Sequence, residues 1–177
     1  MARYYYYAST LPRLTLDSPL PYTVEAFMLR AQEMVSKRDY NLLEDALHAR
    51  ATDNAFLITW GDFQRMLSAE LARQRSKRVD FTYDTSDLVE EVPAYLAEAV
   101  YAAMRAEDPL EAELQLLQLE WKALEEFLGF ATFSIEAICA HLLQLQLKER
   151  RTRFDAEAGN TEFARLFTDL QAEIAQR

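Results

Sequence analysis

The chain has 177 residues, half of them apolar, with only 3 Gly and 5 Pro and a net charge of −10. That is enough for one domain, or two small ones, with a sizeable core, and the scarcity of Gly and Pro argues for long regular elements over the many turns of a sandwich or barrel. The charge disfavours nucleic acid as a general partner, the lone Cys139 leaves no internal disulfide to form and is compatible with a reducing compartment, and no apolar run approaches the ~18 residues a bilayer span needs.

The chain opens on four consecutive tyrosines, Tyr4 to Tyr7, followed by Ala8-Ser9-Thr10-Leu11-Pro12. A secretory signal would place a basic and then an apolar stretch here. Tyrosine rings instead bury a face while keeping a hydroxyl bonded. The expectation is a short strand or extended segment docked on helices. Pro12, Pro19 and Pro21 keep the next stretch extended or turning.

Thr23 offers a cap for a helix in which Val24, Phe27, Met28, Ala31 and Val35 recur at helical spacing. A second helix is expected from Tyr40 to Arg50, capped by Asp39, with Leu43, Ala46 and Leu47 inward. A longer third begins near Asp53 and runs to about Lys77, with Phe56, Trp60, Phe63, Leu67 and Leu71 on one stripe. Gly61 inside it reads as a point of close helix packing or a kink. Residues 79–86 read as a loop or short extended piece and as the best place for a sub-domain boundary.

Pro93 fits the first turn of a helix through Tyr95, Leu96, Ala99, Val100 and Ala103. Asp108-Pro109-Leu110-Glu111 is a strong start signal. After it, Leu110, Leu114, Leu117, Trp121, Leu124 and Leu128 alternate in steps of four and three, a heptad seam expected to lie in the core of the monomer. Gly129 is placed to stop that helix. Ser134 precedes another, with Ile135, Ile138, Leu142 and Leu145 on one face and a basic end at Lys148, Arg150, Arg151 and Arg153. Gly159-Asn160-Thr161 reads as a turn and cap before a last helix presenting Phe163, Leu166, Phe167, Leu170 and Ile174.

Charge is distributed unevenly. Residues 1–80 carry 11 basic and 10 acidic side chains, whereas residues 81–177 carry 8 and 19. The cluster Arg73, Arg75, Lys77 and Arg78 reads as a surface for an anionic contact, on a partner protein or within the chain, or as a solvated helix end. Within the acidic half, Glu90, Glu91, Glu107, Glu111 and Glu113 read as a steering surface for a basic partner or as a solubilising face.

Reaction machinery is not apparent. There is no Gly-rich phosphate loop. Glu136, Cys139 and His141 are close in sequence, but their spacing does not put all three on one helical face. A helical di-iron site needs Glu-x-x-His pairs; His48 has Asp45 three residues before it and His141 has Ile138. No cofactor, metal or small-molecule ligand is expected.

Three stretches resemble an uncharacterised bacterial family encoded among the subunits of V-type (archaeal-type) ATPases. They are Tyr4-Tyr5-Tyr6-Tyr7-Ala8-Ser9-Thr10-Leu11-Pro12; Asn54-Ala55-Phe56-Leu57 with Trp60, Phe63 and the Arg-rich helix end; and the run from Leu142 through Leu145, Glu149 and Arg150 to Gly159 and Phe163. By gene context, the resemblance implies a stand-in for the C (or d) subunit, an all-helical socket between the membrane rotor and the central stalk.

The expected architecture is all-α: one domain over residues 1–177, an antiparallel bundle of about six or seven helices with a short extended N-terminal segment. The expected role is a non-catalytic subunit or assembly factor of a V-type ATPase that contacts rotor or central-stalk subunits, cytoplasmic or held on the inner face of the cell membrane through them. The alternatives are a helical adaptor with an unrelated partner, or an enzyme whose site is assembled from scattered carboxylates and tyrosines.

Overall fold

A computed structural model describes residues 4–79 and 92–154 of the chain, the side chains of residues 78 and 79 excepted. They form seven helices: α1 (Tyr5–Thr10), α2 (Val24–Met34), α3 (Lys37–Leu47), α4 (Ala55–Val79), α5 (Ala94–Met104), α6 (Pro109–Leu128) and α7 (Ile135–Thr152). The described residues contain no strand, so the fold is an all-α bundle. The expected last helix and the 79–86 boundary lie, from residue 155 and from residue 80, outside the described residues.

The N-terminal expectation is corrected: the tyrosine run is helical, not extended. Tyr4 and Tyr7 are the buried members and Tyr5 and Tyr6 the exposed ones, a spacing of three that suits a helical turn and not the alternation of a strand. The β preference of tyrosine yields here to tertiary contact. Ser9 and Thr10 help close the short helix, their hydroxyls donating to the carbonyls of Tyr6 and Tyr7 at 2.8 Å each.

Caps set most other boundaries. Thr23 Oγ1 accepts from the Ala26 amide at 3.2 Å to start α2. The α3 expectation shifts by one turn: Ser36, not Asp39, is its cap, accepting from the Asp39 amide at 3.3 Å. Asp39 is the third helical residue, and its carboxylate accepts the Ser36 hydroxyl at 2.5 Å. A Ser-x-x-Asp arrangement resembling a capping box thus draws the helix start back to Lys37. α3 ends when Ala49 turns to φ 50°, the left-handed region. The Arg50 amide then reaches back to the Asp45 carbonyl at 2.9 Å, closing a Schellman-type turn.

Asn54 caps α4 through the Leu57 amide at 3.2 Å. Pro93 is the cap of α5, one position earlier than expected. Asp108 caps α6, with Pro109 as the first helical residue, and Gly129 (φ 55°) ends it. Ser134 caps α7.

α7 packs on α2, α3 and α6, while α4, α5 and α6 pack on one another. Two hydrophobic clusters result. The larger joins Tyr7, Phe27, Leu43, Leu117, Trp121, Leu124, Ile138, Leu142 and Leu145. The smaller joins Phe63, Leu67, Leu96, Val100, Leu116 and Ala123. Trp60 and Phe127 pack against both. The expected seam of α6 is therefore core, with Leu110, Leu114 and Leu128 half-buried at its ends. A second stripe, Leu116 and Ala123, faces the smaller cluster, so α6 is held between two layers.

Candidate partner-binding surfaces

The tyrosine run is divided by the helical turn into two anchors and two displayed rings. The Tyr4 hydroxyl donates to the Asp39 carboxylate, which ties α1 to the capped start of α3. Tyr7 stacks on Phe27 with centroids 6.4 Å apart, and burial, reinforced by Tyr22, pushes its pKa up to about 12. Tyr5 and Tyr6 are 60% and 75% exposed. The Tyr5 ring lies 4.5 Å from that of Phe133 in the α6–α7 turn. In the same turn Phe130 is fully exposed, carried outward just after the positive-φ Gly129. One end of the bundle thus presents Tyr5, Tyr6 and Phe130 beside half-buried Phe133. The sequence reading singled out the tyrosines but gave Phe130 and Phe133 no surface role; an aromatic next to a helix-stopping glycine was the available signal.

The charged candidates separate. Arg73 is half-buried and pairs with Glu70 at 2.6 Å; Glu70 is buried and also accepts from Gln74. Arg73 therefore serves the fold. Arg75 and Lys77 are exposed, and the Arg78 side chain lies outside the described residues. Of the acids, Glu107 and Glu111 are exposed around the α5–α6 turn, Glu113 is half-buried, and Glu90 and Glu91 lie outside the described residues. α6, 20 residues long, carries Glu111 in its first turn and Phe130 just past its end. The acidic and aromatic ends are therefore about 30 Å apart.

The described residues include the linings of two surface depressions. The larger, about 860 Å³, lies between the α3–α4 connection and α4, with Leu57, Trp60 and Gly61 in its lining. Gly61 neither packs closely nor breaks α4; a Cβ there would meet nothing within 4 Å. The charges of this groove pair within it, Arg50 with Asp45 at 3.9 Å and Arg65 with Asp62. The smaller depression, about 630 Å³, lies between α2, α3 and the end of α7.

The interior polar groups are engaged in holding helices together. Glu120 on α6 is 3% exposed and accepts from Arg150 on α7 and from Gln64 on α4 at 3.0 Å. Lys148, 2% exposed, donates to the carbonyls of Thr15 and Ser18 at 2.5 Å each. Burial and the neighbouring Arg151 lower its pKa against the opposing pull of Asp17. Arg151 adds bonds to the Leu16 carbonyl and the Asp17 carboxylate at 2.6 Å each. The basic end of α7 thus fastens the segment that follows α1.

Among the described residues no group of three His, Cys, Asp or Glu side chains could hold a metal ion. Cys139 is fully buried, and desolvation pushes its thiol up to about 12, which keeps it protonated and unreactive. Burial raises the Glu136 pKa, but hydrogen bonds from Ser134, its own backbone and Asn54 outweigh that and leave it below the usual carboxylate value. No helix among the described residues is long and apolar enough to cross a membrane.

The chain belongs to the DUF2764 family, proteins of unknown function, whose model matches residues 1–85 and 85–174. No curated protein and no solved structure matches it.

Proposed function

We propose that this chain is a non-catalytic subunit or assembly factor of a V-type ATPase, acting through protein contacts between the rotor and the central stalk. The observation that carries the reading is the division of the tyrosine run. Those residues are one of the three stretches on which the resemblance to a family encoded among V-type ATPase subunits rests. Two of them fasten α1 to the bundle, and the other two are displayed with Phe130. Exposed aromatic rings on a rigid support are the side chains that dominate binding energy at protein interfaces. Holding α1 in place before binding also reduces the ordering entropy that association costs.

The acidic end, some 30 Å away along α6, gives the chain a second face of different character, which suits a part placed between two others. The experiment is recovery of the native protein from membranes and cytosol, with mass spectrometry of what stays bound, alongside a Tyr5→Ser/Tyr6→Ser/Phe130→Ser variant. Central-stalk or rotor subunits should co-purify with the parent and be depleted with the variant. A reproducible partner unrelated to the ATPase, with no ATPase subunit present, would replace this reading with that of a helical adaptor. Turnover of a small molecule by the isolated protein would replace it with an enzyme.

A further inference from the structure

The smaller depression, on α2, α3 and α7, differs from the larger groove in one respect. The larger groove pairs its own charges; this one does not. Its described lining contains two carboxylates, Glu25 and Glu149, and no cation. Glu149 spends one carboxylate oxygen on the Val24 amide at 2.7 Å, and its carboxylate makes no other hydrogen bond among the described residues. The wall is apolar and aromatic: Met28, Leu29, Leu47 and the Tyr40 ring. Leu29 is 68% exposed, and Glu25, Met28 and Leu29 share the three-to-four spacing of one α2 face.

We infer that this surface docks an amphipathic helix of a partner protein that places one Arg or Lys between Glu25 and Glu149. A cation fits because, among the described residues, neither carboxylate is paired with one, and the Tyr40 ring belongs to the same lining, where a desolvated guanidinium or ammonium gains further. The cation arrives on a helix, not as a free amine, because the exposed Leu29 and the half-buried Leu47 gain from apolar cover. Laying an apolar face into a groove flanked by helices is an established mode of recognition. The chain's net charge of −10 favours encounter with a basic partner. The surface lies on different residues from the tyrosine end, so either assignment can fail without the other.

The test uses two synthetic 15-residue helical peptides of Leu and Ala, one with a single central Arg and one with Gln in its place. Each is titrated into the full-length isotopically labelled protein and followed by backbone amide resonances. The Arg peptide should shift residues 23–32 and 40–47 and bind about tenfold tighter than the Gln peptide, the increment of one charge-assisted hydrogen bond. In the Glu25→Gln/Glu149→Gln protein the two peptides should bind alike. The amide of Gln at 149 still offers Val24 an acceptor, so that variant keeps its fold, which its unchanged spectrum elsewhere would verify. Equal affinity of the two peptides for the parent, shifts confined to other residues, or no binding at millimolar peptide would each overturn the assignment. Shifts at these residues on raising protein concentration alone would assign the surface to a second copy of the chain instead.

Discussion

The Tyr22 hydroxyl lies 2.7 Å from Nε2 of His141, joining the segment before α2 to the middle of α7 across 119 residues of sequence. Phe27 packs against the same imidazole, with centroids 5.5 Å apart. The ring is buried, and desolvation lowers its pKa from 6.5 to about 4. The folded protein therefore resists a proton that the unfolded chain accepts. Stability from this group is fully present above about pH 6.5, declines as pH falls toward 4, and changes no further below that. The loss should reach about 3 kcal/mol. Urea midpoints measured from pH 7 to pH 4 for the parent and for His141→Gln should diverge across that window. Parallel curves would mean that His141 titrates normally.

Trp121 is 6% exposed and donates through Nε1 to Glu125 at 3.0 Å. Removing it empties a site between α6 and the main core, so Trp121→Ala should cost about 3–5 kcal/mol. An unchanged denaturant midpoint would show that the seam serves a partner and not the monomer.

Much of the fold was legible because its signals are local. Asp108-Pro109, Gly129, Thr23 and Ser134 act within one turn of themselves, and the stripes of α2, α4, α6 and α7 need only a helical period. The errors came where distant contacts decide. Four tyrosines in a row favour a strand on intrinsic preference; Asp39 and Phe27, far along the chain, make the run a helix. Asp39 alone looks like a cap, and only its bond to Ser36 reveals it as the third residue of the helix. The candidate surfaces were less legible. Arg73 resembles its neighbours in sequence, yet Glu70 draws it inward. Nothing local marks Glu25 and Glu149, 124 positions apart, as walls of one depression.

Ala49 occupies a left-handed conformation that glycine adopts without a side-chain penalty. Ala49→Gly should relieve that strain, offset in part by the greater freedom of glycine in the unfolded chain. The net expectation is a stabilisation of about 0.5–1 kcal/mol, read as a raised urea midpoint with an unchanged slope. A lower midpoint would mean that the Ala49 methyl contributes packing that outweighs its backbone cost.

Lys148→Met would leave the Thr15 and Ser18 carbonyls without their shared donor while retaining the apolar stem. The Thr15 carbonyl keeps the Ser18 amide and hydroxyl as donors at 3.3 and 3.0 Å. The deprived acceptor is therefore the Ser18 carbonyl, which costs about 1–3 kcal/mol if it stays buried, and water entering the site reduces that. Hydrogen exchange should therefore accelerate in residues 14–24 before it does in α6. Uniform acceleration across the chain would show that the fastening is not local to the segment.

The tyrosine run gives the sharpest contrast, because four identical side chains differ only in where one helical turn points them. Tyr7 is nearly inaccessible and packed on Phe27, so Tyr7→Ala should cost about 3–5 kcal/mol, as for other buried large aromatics. Tyr4→Phe removes only a hydroxyl, but that hydroxyl binds Asp39; a charged acceptor places the loss at about 1.5–3 kcal/mol. Tyr5→Ser and Tyr6→Ser remove rings that are mostly in water, and each should change stability by about 0.5 kcal/mol or less. Tyr5 should be the costlier of the two, because its ring touches Phe133. Partner binding should rank the four in the opposite sense: lost with Tyr5 and Tyr6 while the protein stays folded, and lost with Tyr7 only as the protein unfolds. Denaturation midpoints and retention of co-purifying subunits, measured on the same four variants, check both rankings. Equal stability costs at all four positions would refute the division into anchors and displayed rings.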